Sequence, residues 1–422
     1  MIVYVLNKHG KPLMPCKPAK ARHLLRDGVA KVIQTEPFTI QLLYGSSGYK
    51  QPITLGIDAG NKHIGVSATT DKKELYAADV ELRNDIVGKI ATRRQNRRSR
   101  RSRKIRYRQP RFLNRVHSKN KGWLAPSVEN KINTHIKVVR DVHKILPISK
   151  IIVETASFDI QKIKNPDISG IEYQQGDQLG FWNVREYVLW RDNHECQCCH
   201  GKSKDDILNV HHIESRKTGG NAPNNLVTLC KTCHHKYHDG QIKLNIKRGQ
   251  SFRDAAFMGV MRWTFYSRLK KLYPNVKMTY GYITKNVRVS NNLPKEHHID
   301  AYCITGNISA ELLDYYFYQK QVRGTNRQIH KANILKGGRK KLNQSPKYVK
   351  GFQLFDKVQY NGKPYYICGR RQSGYFDIRD LSGNKVNKGS ISYKELKLLE
   401  TRKSILTERR SRFPLMTKVT SI

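Results

Sequence analysis

Two short apolar runs that lie far apart in the chain each end in an acidic residue. Residues 53–57 lead to Asp58, and residues 151–153 lead to Glu154. Runs of this length predict buried strands, and a carboxylate at the tip of such a strand is held rigidly. Two such strands side by side would crowd their carboxylates, which a hard divalent cation makes favourable. The pattern therefore predicts a cation site, with simple capping of strand ends by surface acids as the alternative.

A third acidic residue, Asp300, lies on a helix that is predicted to open at residues 293–294. His297 precedes it by three residues, so both side chains share one face. The run at 65–69 pairs with 53–57 as an antiparallel hairpin. A strand with Asp-x-Gly, a hairpin partner, a distant strand ending in Glu and a late helix with Asp resemble a ribonuclease H-like nuclease. Asp300 is then the predicted third metal ligand, and His297 is a candidate water activator or phosphate contact.

Other stretches fill in the remaining fold. Residues 1–52 predict a small strand-helix-strand module, and residues 127–146 predict an amphipathic helix before the strand of Glu154. Residues 276–283 and 286–289 predict strands. Short strands follow from about residue 350, where Asn361-Gly362 is a strong hairpin signal. We expect an α/β multidomain protein that ends in a small SH3-like β barrel.

The charged residues of the chain indicate a binding partner. The chain has 79 Lys+Arg against 33 Asp+Glu, a formal charge of +46. Such an excess indicates a polyanion, by default nucleic acid, and an acidic membrane surface is the alternative. No apolar stretch of about 18 residues predicts a membrane span, and the N-terminus lacks a signal-peptide pattern. Five of the eight cysteines cluster at 196–199 and 230–233, which favours a metal site in a reducing, intracellular compartment.

The positive charge is concentrated in one segment. Residues 86–128 contain no acidic residue, and no Gly or Pro interrupts 89–108, so a helix is predicted. Such a helix would repel itself unless phosphates lie along it, and arginine favours bidentate phosphate contacts. A disordered basic arm is the alternative. The predicted nucleic-acid contacts are Arg93, Arg94, Arg97, Arg98, Arg100, Arg101, Arg103, Arg106 and Arg108.

The cysteine cluster has zinc-ligand spacing. Cys196-x-x-Cys199 and Cys230-x-x-Cys233 form two knuckles of a four-thiolate site. Cys198 and His200 lie close enough in sequence to replace one ligand. The segment is too short to bury much apolar surface, so the predicted zinc is structural.

Histidines surround the second knuckle. His234 and His238 are four residues apart and share a helix face, so with His211 they can converge on one cation. His212 would stand beside that cation as the general base towards water, and Asn225 would orient it through its backbone. The alternative is that these histidines serve the zinc or lie on the surface. The pattern resembles that of HNH, or ββα-metal, nucleases.

These features occur in a distinctive order along the chain: Pro12-Leu13-Met14-Pro15, a split acidic set, an Arg-rich helix after its first part, and an HNH insertion before its last part. This arrangement resembles the IscB family, transposon-encoded relatives of the CRISPR type II effector nucleases. The resemblance implies an RNA-guided DNA endonuclease, a phosphodiester hydrolase that carries an omega RNA guide and acts on double-stranded DNA. A monomeric protein in a cytoplasmic, nucleoid-associated ribonucleoprotein of a prokaryote is expected.

The resemblance also implies a division into segments. These are a PLMP domain (1–52), RuvC parts I, II and III (53–85, 126–179 and 246–312), a bridge helix (86–125), an HNH domain (180–245), a basic linker that contacts guide or target (313–345), and an SH3-like domain (346–422) that reads a target-adjacent motif.

Roles for the two centres follow from the same resemblance. Asp58, Glu154 and Asp300 would hold two Mg²⁺ ions, with His297 as the RuvC histidine, and would cut the displaced strand. His211, His234 and His238 would hold one Mg²⁺ beside His212 and would cut the guide-paired strand. The rival readings are an unguided endonuclease, of the homing or junction-resolving type, and an RNA-binding scaffold with inactive sites.

Overall fold

The computed structural model describes most of the chain, in two compact units. The described residues are 1–46, 48–101, 123–155, 178, 180–181, 183–214, 221–249, 253–324 and 346–412. The first unit comprises Met1–Ala156 and Val260–Ile422, and the second comprises Ser157–Gly259. Within these described ranges, no helix is both long and apolar enough to cross a membrane.

The N-terminal module has the predicted strand-helix-strand order. It consists of β1 (Tyr4–Leu6), α1 (Pro18–Arg26), β2 (Ala30–Gln34) and β3 (Thr39–Leu42). Strand β3 lies between its neighbours, parallel to β1 and antiparallel to β2. Pro18 stands at the helix start, where its fixed φ suits the first turn and no hydrogen bond is lost.

The next elements form the centre of the first unit. They are β4 (Thr54–Ala59), β5 (His63–Thr69), β6 (Glu74–Glu81), α2 (Ile86–Arg101), α3 (Pro126–His143) and β7 (Lys150–Glu154). Strands β4 and β5 pair antiparallel, which confirms the predicted hairpin. Strand β7 lies parallel to β4, with Asp58 and Glu154 in register. Residues 102–122, the second part of the predicted Arg-rich helix, lie outside the described residues.

The second unit contains one small β-hairpin between short helices. Its elements are α4 (Val184–Arg191), β8 (Leu208–His212), β9 (Leu226–Cys230) and α5 (Lys231–His238). Strands β8 and β9 pair antiparallel, and α5 begins directly where β9 ends.

The remaining elements lie in the first unit, apart from the start of the first helix, which belongs to the second unit up to Gly259. They are α6 (Arg253–Leu272), β10 (Val276–Thr279), α7 (Gly281–Ser290), α8 (His297–Thr305), β11 (Tyr315–Gln321), β12 (Lys357–Tyr360), β13 (Lys363–Arg370), β14 (Tyr375–Arg379), β15 (Ile391–Ser392), β16 (Lys397–Glu400) and β17 (Ile405–Ser411).

Two sheets organise the first unit beyond the N-terminal module. A mixed seven-stranded sheet has the order β10-β7-β4-β5-β6-β11-β17, and an antiparallel five-stranded sheet has the order β15-β14-β13-β12-β16. One face of the large sheet is apolar at its centre, where Leu55, Ile57, Ile64 and Val66 are buried. In the small sheet, Asn361 and Gly362 form the predicted two-residue turn with positive φ at both positions.

One sequence prediction is wrong between residues 280 and 290. Strands were expected over 276–283 and 286–289, but the first ends at Thr279 and the rest forms α7. The β-branched residues of this stretch favour a strand locally. Tertiary contacts outweigh that preference, because a helix buries Thr284 and turns Val287 towards the apolar cluster around α8.

The expected C-terminal boundaries also need correction. Residues 315–321, expected in a basic linker, form β11 inside the seven-stranded sheet, and Phe317 on that strand is buried. Residues 405–411, expected in the terminal barrel, form β17 at the edge of the same sheet. Pairing between strands so distant in the chain leaves no local pattern. The remainder of the expected linker, 325–345, lies outside the described residues.

Candidate metal centres

An acidic centre forms where two parallel strands of the large sheet end. Asp58 on β4 stands in register with Glu154 on β7, as the apolar runs predicted. Helix α8 crosses above them and carries His297 and Asp300. The helix can come this close because Gly65 on β5 has no side chain, and a Cβ there would lie 1.8 Å from the His297 carbonyl oxygen.

A histidine pair extends this acidic centre. His297 Nδ1 lies 2.7 Å from Asp58 Oδ2. The His63 ring stacks on His297 with a centroid distance of 5.0 Å and an interplanar angle of 6°. His63 is itself held by Asp79, with 3.2 Å between Nδ1 and Oδ1. Stacking and hydrogen bonding thus fix the ring of His297 from two sides.

The three acids influence one another electrostatically. Burial, together with the charges of Asp58 and Asp300, raises the pKa of Glu154 to about 7. Burial and the charge of Asp58 also raise the pKa of Asp300, although Arg288 opposes this with an ion pair of 2.8 Å. The hydrogen bond that the His297 ring donates to the Asp58 carboxylate raises the pKa of His297. Mutual repulsion of this kind is what a bound cation relieves.

The donor chemistry of the acidic centre suits Mg²⁺, which prefers carboxylate oxygens. Among the described residues, however, only four thiols and three imidazoles bring three or more ligand atoms within 4.8 Å of one another. The three carboxylates do not form such a group, and two of them have other partners: Asp58 contacts His297 and Asp300 contacts Arg288. A cation that bound all three acids would compete with these two pairings.

The four thiols belong to the second unit. Cys196, Cys199, Cys230 and Cys233 bring their sulfur atoms within 4.8 Å of one another, as four ligands of one tetrahedral zinc require. The Cys233 amide donates to Cys230 Sγ at 3.4 Å at the start of α5. Burial acts in the opposite direction, but the hydrogen bond with Ser203 lowers the pKa of Cys199 to about 6. This cluster fits a structural zinc ion.

Three imidazole side chains converge at the hairpin β8–β9, in the same unit as the four thiols. His211 on β8 lies 5.2 Å from both His234 and His238 between ring centroids, and the latter two are 4.5 Å apart. Their ligand atoms lie within 4.8 Å of one another. Burial and the two neighbouring histidines lower the pKa of His211 to about 4, so the ring is neutral at pH 7 and free to bind a cation.

His212 and Asn225 flank this imidazole group. His212 lines the same surface cavity, and its Nε2 lies 3.0 Å from Asn221 Oδ1. Asn225 is buried and grips the chain just beyond β8: its side chain exchanges two hydrogen bonds with the backbone of Glu214, at 2.9 and 3.0 Å. Its own carbonyl accepts from the Ile213 amide at 2.9 Å. Asn225 thus fixes the end of the strand that carries His212.

The imidazole group favours a different cation from the acidic centre. Nitrogen ligands suit zinc and other first-row transition ions, whereas Mg²⁺ prefers oxygen. The three rings therefore fit a divalent transition ion better than Mg²⁺, and the Mg²⁺ assignment here stays a prediction.

The described side chains of the arginine-bearing helix α2 are largely exposed. Arg93 and Arg94 are exposed on α2, which begins just after Asp85. Arg97, Arg98, Arg100 and Arg101 follow on the same helix, but their side chains lie outside the described part of the chain. Arg103, Arg106 and Arg108 lie wholly outside it. The contacts expected for these residues stay predictions.

Sequence reasoning missed three side chains of these centres. His63 stacks on His297, and Asp79 holds His63. In the sequence, only their position on the two strands that follow Asp58 could have indicated this role. Arg288, which pairs with Asp300, lay in a stretch predicted to be a strand. Thr284 and Arg288 are four residues apart, a spacing that places both on one face of a helix. This spacing could have indicated the role of Arg288 only if a helix had been predicted there.

Two family descriptions match consecutive parts of the chain. Residues 3–176 match the model described as RRXRR protein, and residues 196–240 match that of HNH endonuclease. A curated protein, Anaredoxin of Nostoc sp. (strain PCC 7120), is 36% identical over 58 residues, which are 14% of this chain and 74% of that protein.

Solved structures of Streptococcus thermophilus Cas9 are also similar. The complex with the AGAA PAM is 12% identical with a TM-score of 0.32, covering 60% of this chain and 32% of that one. The complex with the GGAA PAM is 14% identical with a TM-score of 0.32, covering 50% and 30%. The chain thus spans about a third of the length of these structures.

Proposed function

The chain is an IscB-like protein and a metal-dependent nuclease, and from this premise we propose that it is an RNA-guided DNA endonuclease. An omega RNA guide would pair with one strand of a double-stranded target, and each strand would be cut at its own centre. We propose that the complex works in the prokaryotic cytoplasm, as one protein chain with one RNA.

The observation that carries this proposal is the presence of two centres with different donor chemistry in one chain. The first unit holds acids at the ends of β4 and β7, and the second unit holds three imidazoles beside His212. A nuclease that cuts one strand by one reaction needs a single centre. Two unlike centres support a division of labour between the strands.

The acidic centre belongs, in our proposal, to a RuvC-type core and cuts the displaced strand. Asp58, Glu154 and Asp300 would hold Mg²⁺, and the bound ion would activate water and stabilise the leaving oxygen. His297 is positioned by Asp58 and by stacking on His63, so it can contact the phosphate or move a proton. Arg288 forms an ion pair with Asp300, which would position this carboxylate before a cation binds.

The imidazole centre cuts the guide-paired strand. His211, His234 and His238 would hold a divalent cation that polarises the scissile phosphate. An amide oxygen only accepts hydrogen bonds, so the contact with Asn221 Oδ1 keeps the proton of His212 on Nε2. Nδ1 of His212 is then free to take a proton from water, which is the role of a general base.

The charge of the chain supports the nucleic-acid partners. A formal charge of +46 far exceeds what solubility requires. The exposed Arg93 and Arg94 lie on α2. In the chain, this helix follows the strand of Asp58 and precedes the strand of Glu154. We propose that this helix grips the guide RNA and its heteroduplex through phosphates, and that the five-stranded C-terminal sheet, an SH3-like barrel, reads a target-adjacent motif.

The test is strand-resolved cleavage of plasmids that carry the target specified by the RNA that copurifies with the protein. Asp58→Ala should leave a nickase of the guide-paired strand, and His212→Ala a nickase of the displaced strand. Asp71→Ala and His235→Ala, at exposed positions that belong to neither centre, are the matched controls and should cut both strands.

Several outcomes would contradict the proposal. Loss of both cuts in either single variant, with RNA binding retained, would show that the two centres do not serve separate strands. Cleavage by RNA-free protein would favour an unguided endonuclease, and bound RNA without any cleavage would favour a scaffold.

A further inference from the structure

Two exposed tyrosines flank the acidic centre. Tyr280 precedes α7 and is 48% exposed, and Tyr282 in its first turn is 66% exposed. Their rings are nearly parallel, with an interplanar angle of 12° and a centroid distance of 6.1 Å. Neither ring is needed by the core, since Thr284 is the residue that α7 buries.

The backbone between these tyrosines lies close to a carboxylate of the acidic centre. Thr279, just before Tyr280, is the register partner of Glu154 in the parallel pair of β10 and β7. At Gly281, between the two tyrosines, an added Cβ would lie 2.9 Å from Glu154 Oε1. The aromatic pair is therefore anchored at the centre itself.

The surface around the pair suits a nucleic acid strand. Lys285 is exposed one turn further along α7, in a chain with a large positive charge. Aromatic rings among cations are how proteins bind single strands, because every base offers a face for stacking. A base within a duplex has both faces covered by its neighbours, so such rings select unpaired bases.

We propose that Tyr280 and Tyr282 form a stacking platform for unpaired bases of the displaced DNA strand, next to the phosphate that the acidic centre cuts. This inference rests on the proposed function and adds a binding site to it. Stacking on the platform would hold the strand so that its phosphate meets Glu154 and its partners. The selectivity is for single-stranded DNA of any sequence.

The experiment compares variants of the full protein with its copurified RNA in strand-resolved cleavage. The double variant Tyr280→Ala/Tyr282→Ala should cut the displaced strand about tenfold more slowly, as expected for loss of base stacking. The guide-paired strand should be cut at the normal rate. Tyr280→Phe/Tyr282→Phe keeps the rings and should be normal, as should Val289→Ala, which trims another exposed apolar residue of α7.

Abasic sites in the displaced strand provide a second readout. Abasic nucleotides around the cut should lower the rate at which the unchanged protein cuts the displaced strand. On this substrate the unchanged protein and the double alanine variant should cut at nearly the same rate. Equal slowing of both strands, loss of bound RNA, or a tenfold loss in the phenylalanine variant would each overturn the platform. Asp58→Ala in the same assay tests the proposed function separately: if that variant still cuts the displaced strand, the acidic centre is not the cutting site and the platform falls with it.

Discussion

At the scale of single residues, Gly65 decides how closely helix α8 approaches the acidic centre. A Cβ at Gly65 would lie 1.8 Å from the carbonyl oxygen of His297, which is backbone and cannot rotate away. Gly65→Ala should therefore push α8 outward and separate His297 from Asp58. We expect a destabilisation of about 1–3 kcal/mol, as for other overpacked cores. Displaced-strand cutting should fall far more than guide-paired-strand cutting.

The matched control is a glycine with free space around it. Gly259 lies within α6, and an added Cβ would meet no heavy atom within 4 Å. Gly259→Ala should raise helix stability by about 0.5–1 kcal/mol and leave both cuts unchanged. Urea unfolding and strand-resolved cleavage measure the two effects. Normal displaced-strand cutting by Gly65→Ala would show that the close approach of α8 is not required.

At the scale of elements, the hairpin β8–β9 and helix α5 depend on the thiol cluster. Their buried apolar core consists of Val227 and Leu229 together with three of the cysteines. So small a core supplies little stability without metal. Cys233→Ser should therefore lose the zinc ion and unfold the second unit, since structural zinc contributes about 10–16 kcal/mol in small domains. Zinc stoichiometry and limited proteolysis of the full chain measure this.

Cys198 is the control for the zinc prediction. It lies between two of the cluster's thiols but is not among the four that converge. Cys198→Ser should keep one zinc ion per chain and a protease-resistant second unit. Loss of zinc from that variant would mean that Cys198, one of the alternatives left open by the sequence, is a ligand.

Local patterns account for what the sequence predicted and for what it did not. The runs that end in Asp58 and Glu154 predicted strands, and the spacing of His234 and His238 predicted one helix face. Both features are observed. Arg288 was missed because β-branched neighbours favour a strand when α8 is not considered. The long-range pairing of β11 with β17 leaves no trace in either segment.

At the scale of the whole molecule, the five-stranded sheet is an insertion between two strands of the large sheet. The chain leaves the large sheet after β11 and returns as β17, which pairs antiparallel with β11 from Tyr315↔Ser411 to Gln321↔Ile405. Just after β17, Arg412 reaches Glu74 with 2.8 Å between Nη1 and Oε2, and both side chains are almost fully buried. The returning segment is thereby joined to the start of β6.

This buried ion pair should fix the C-terminal part of the chain to the large sheet. Glu74 also accepts hydrogen bonds from Ser67 Oγ at 2.6 Å and from the Leu313 amide at 3.0 Å. Glu74→Gln leaves the charge of Arg412 buried without its counter-ion, so we expect a loss of about 3–5 kcal/mol. Hydrogen exchange at the β17 amides during urea unfolding measures it.

A neighbouring ion pair on the surface shows how much of the expected effect depends on burial. Lys73 and Glu311 lie 3.1 Å apart, but their side chains are 66% and 73% exposed. Because water screens exposed pairs, Lys73→Ala should cost less than about 1 kcal/mol. Glu74→Gln/Arg412→Met removes both buried charges and should recover most of the stability lost in the single variant. If Glu74→Gln costs no more than Lys73→Ala, then strand pairing alone holds β17, and the five-stranded sheet is tethered by backbone hydrogen bonds.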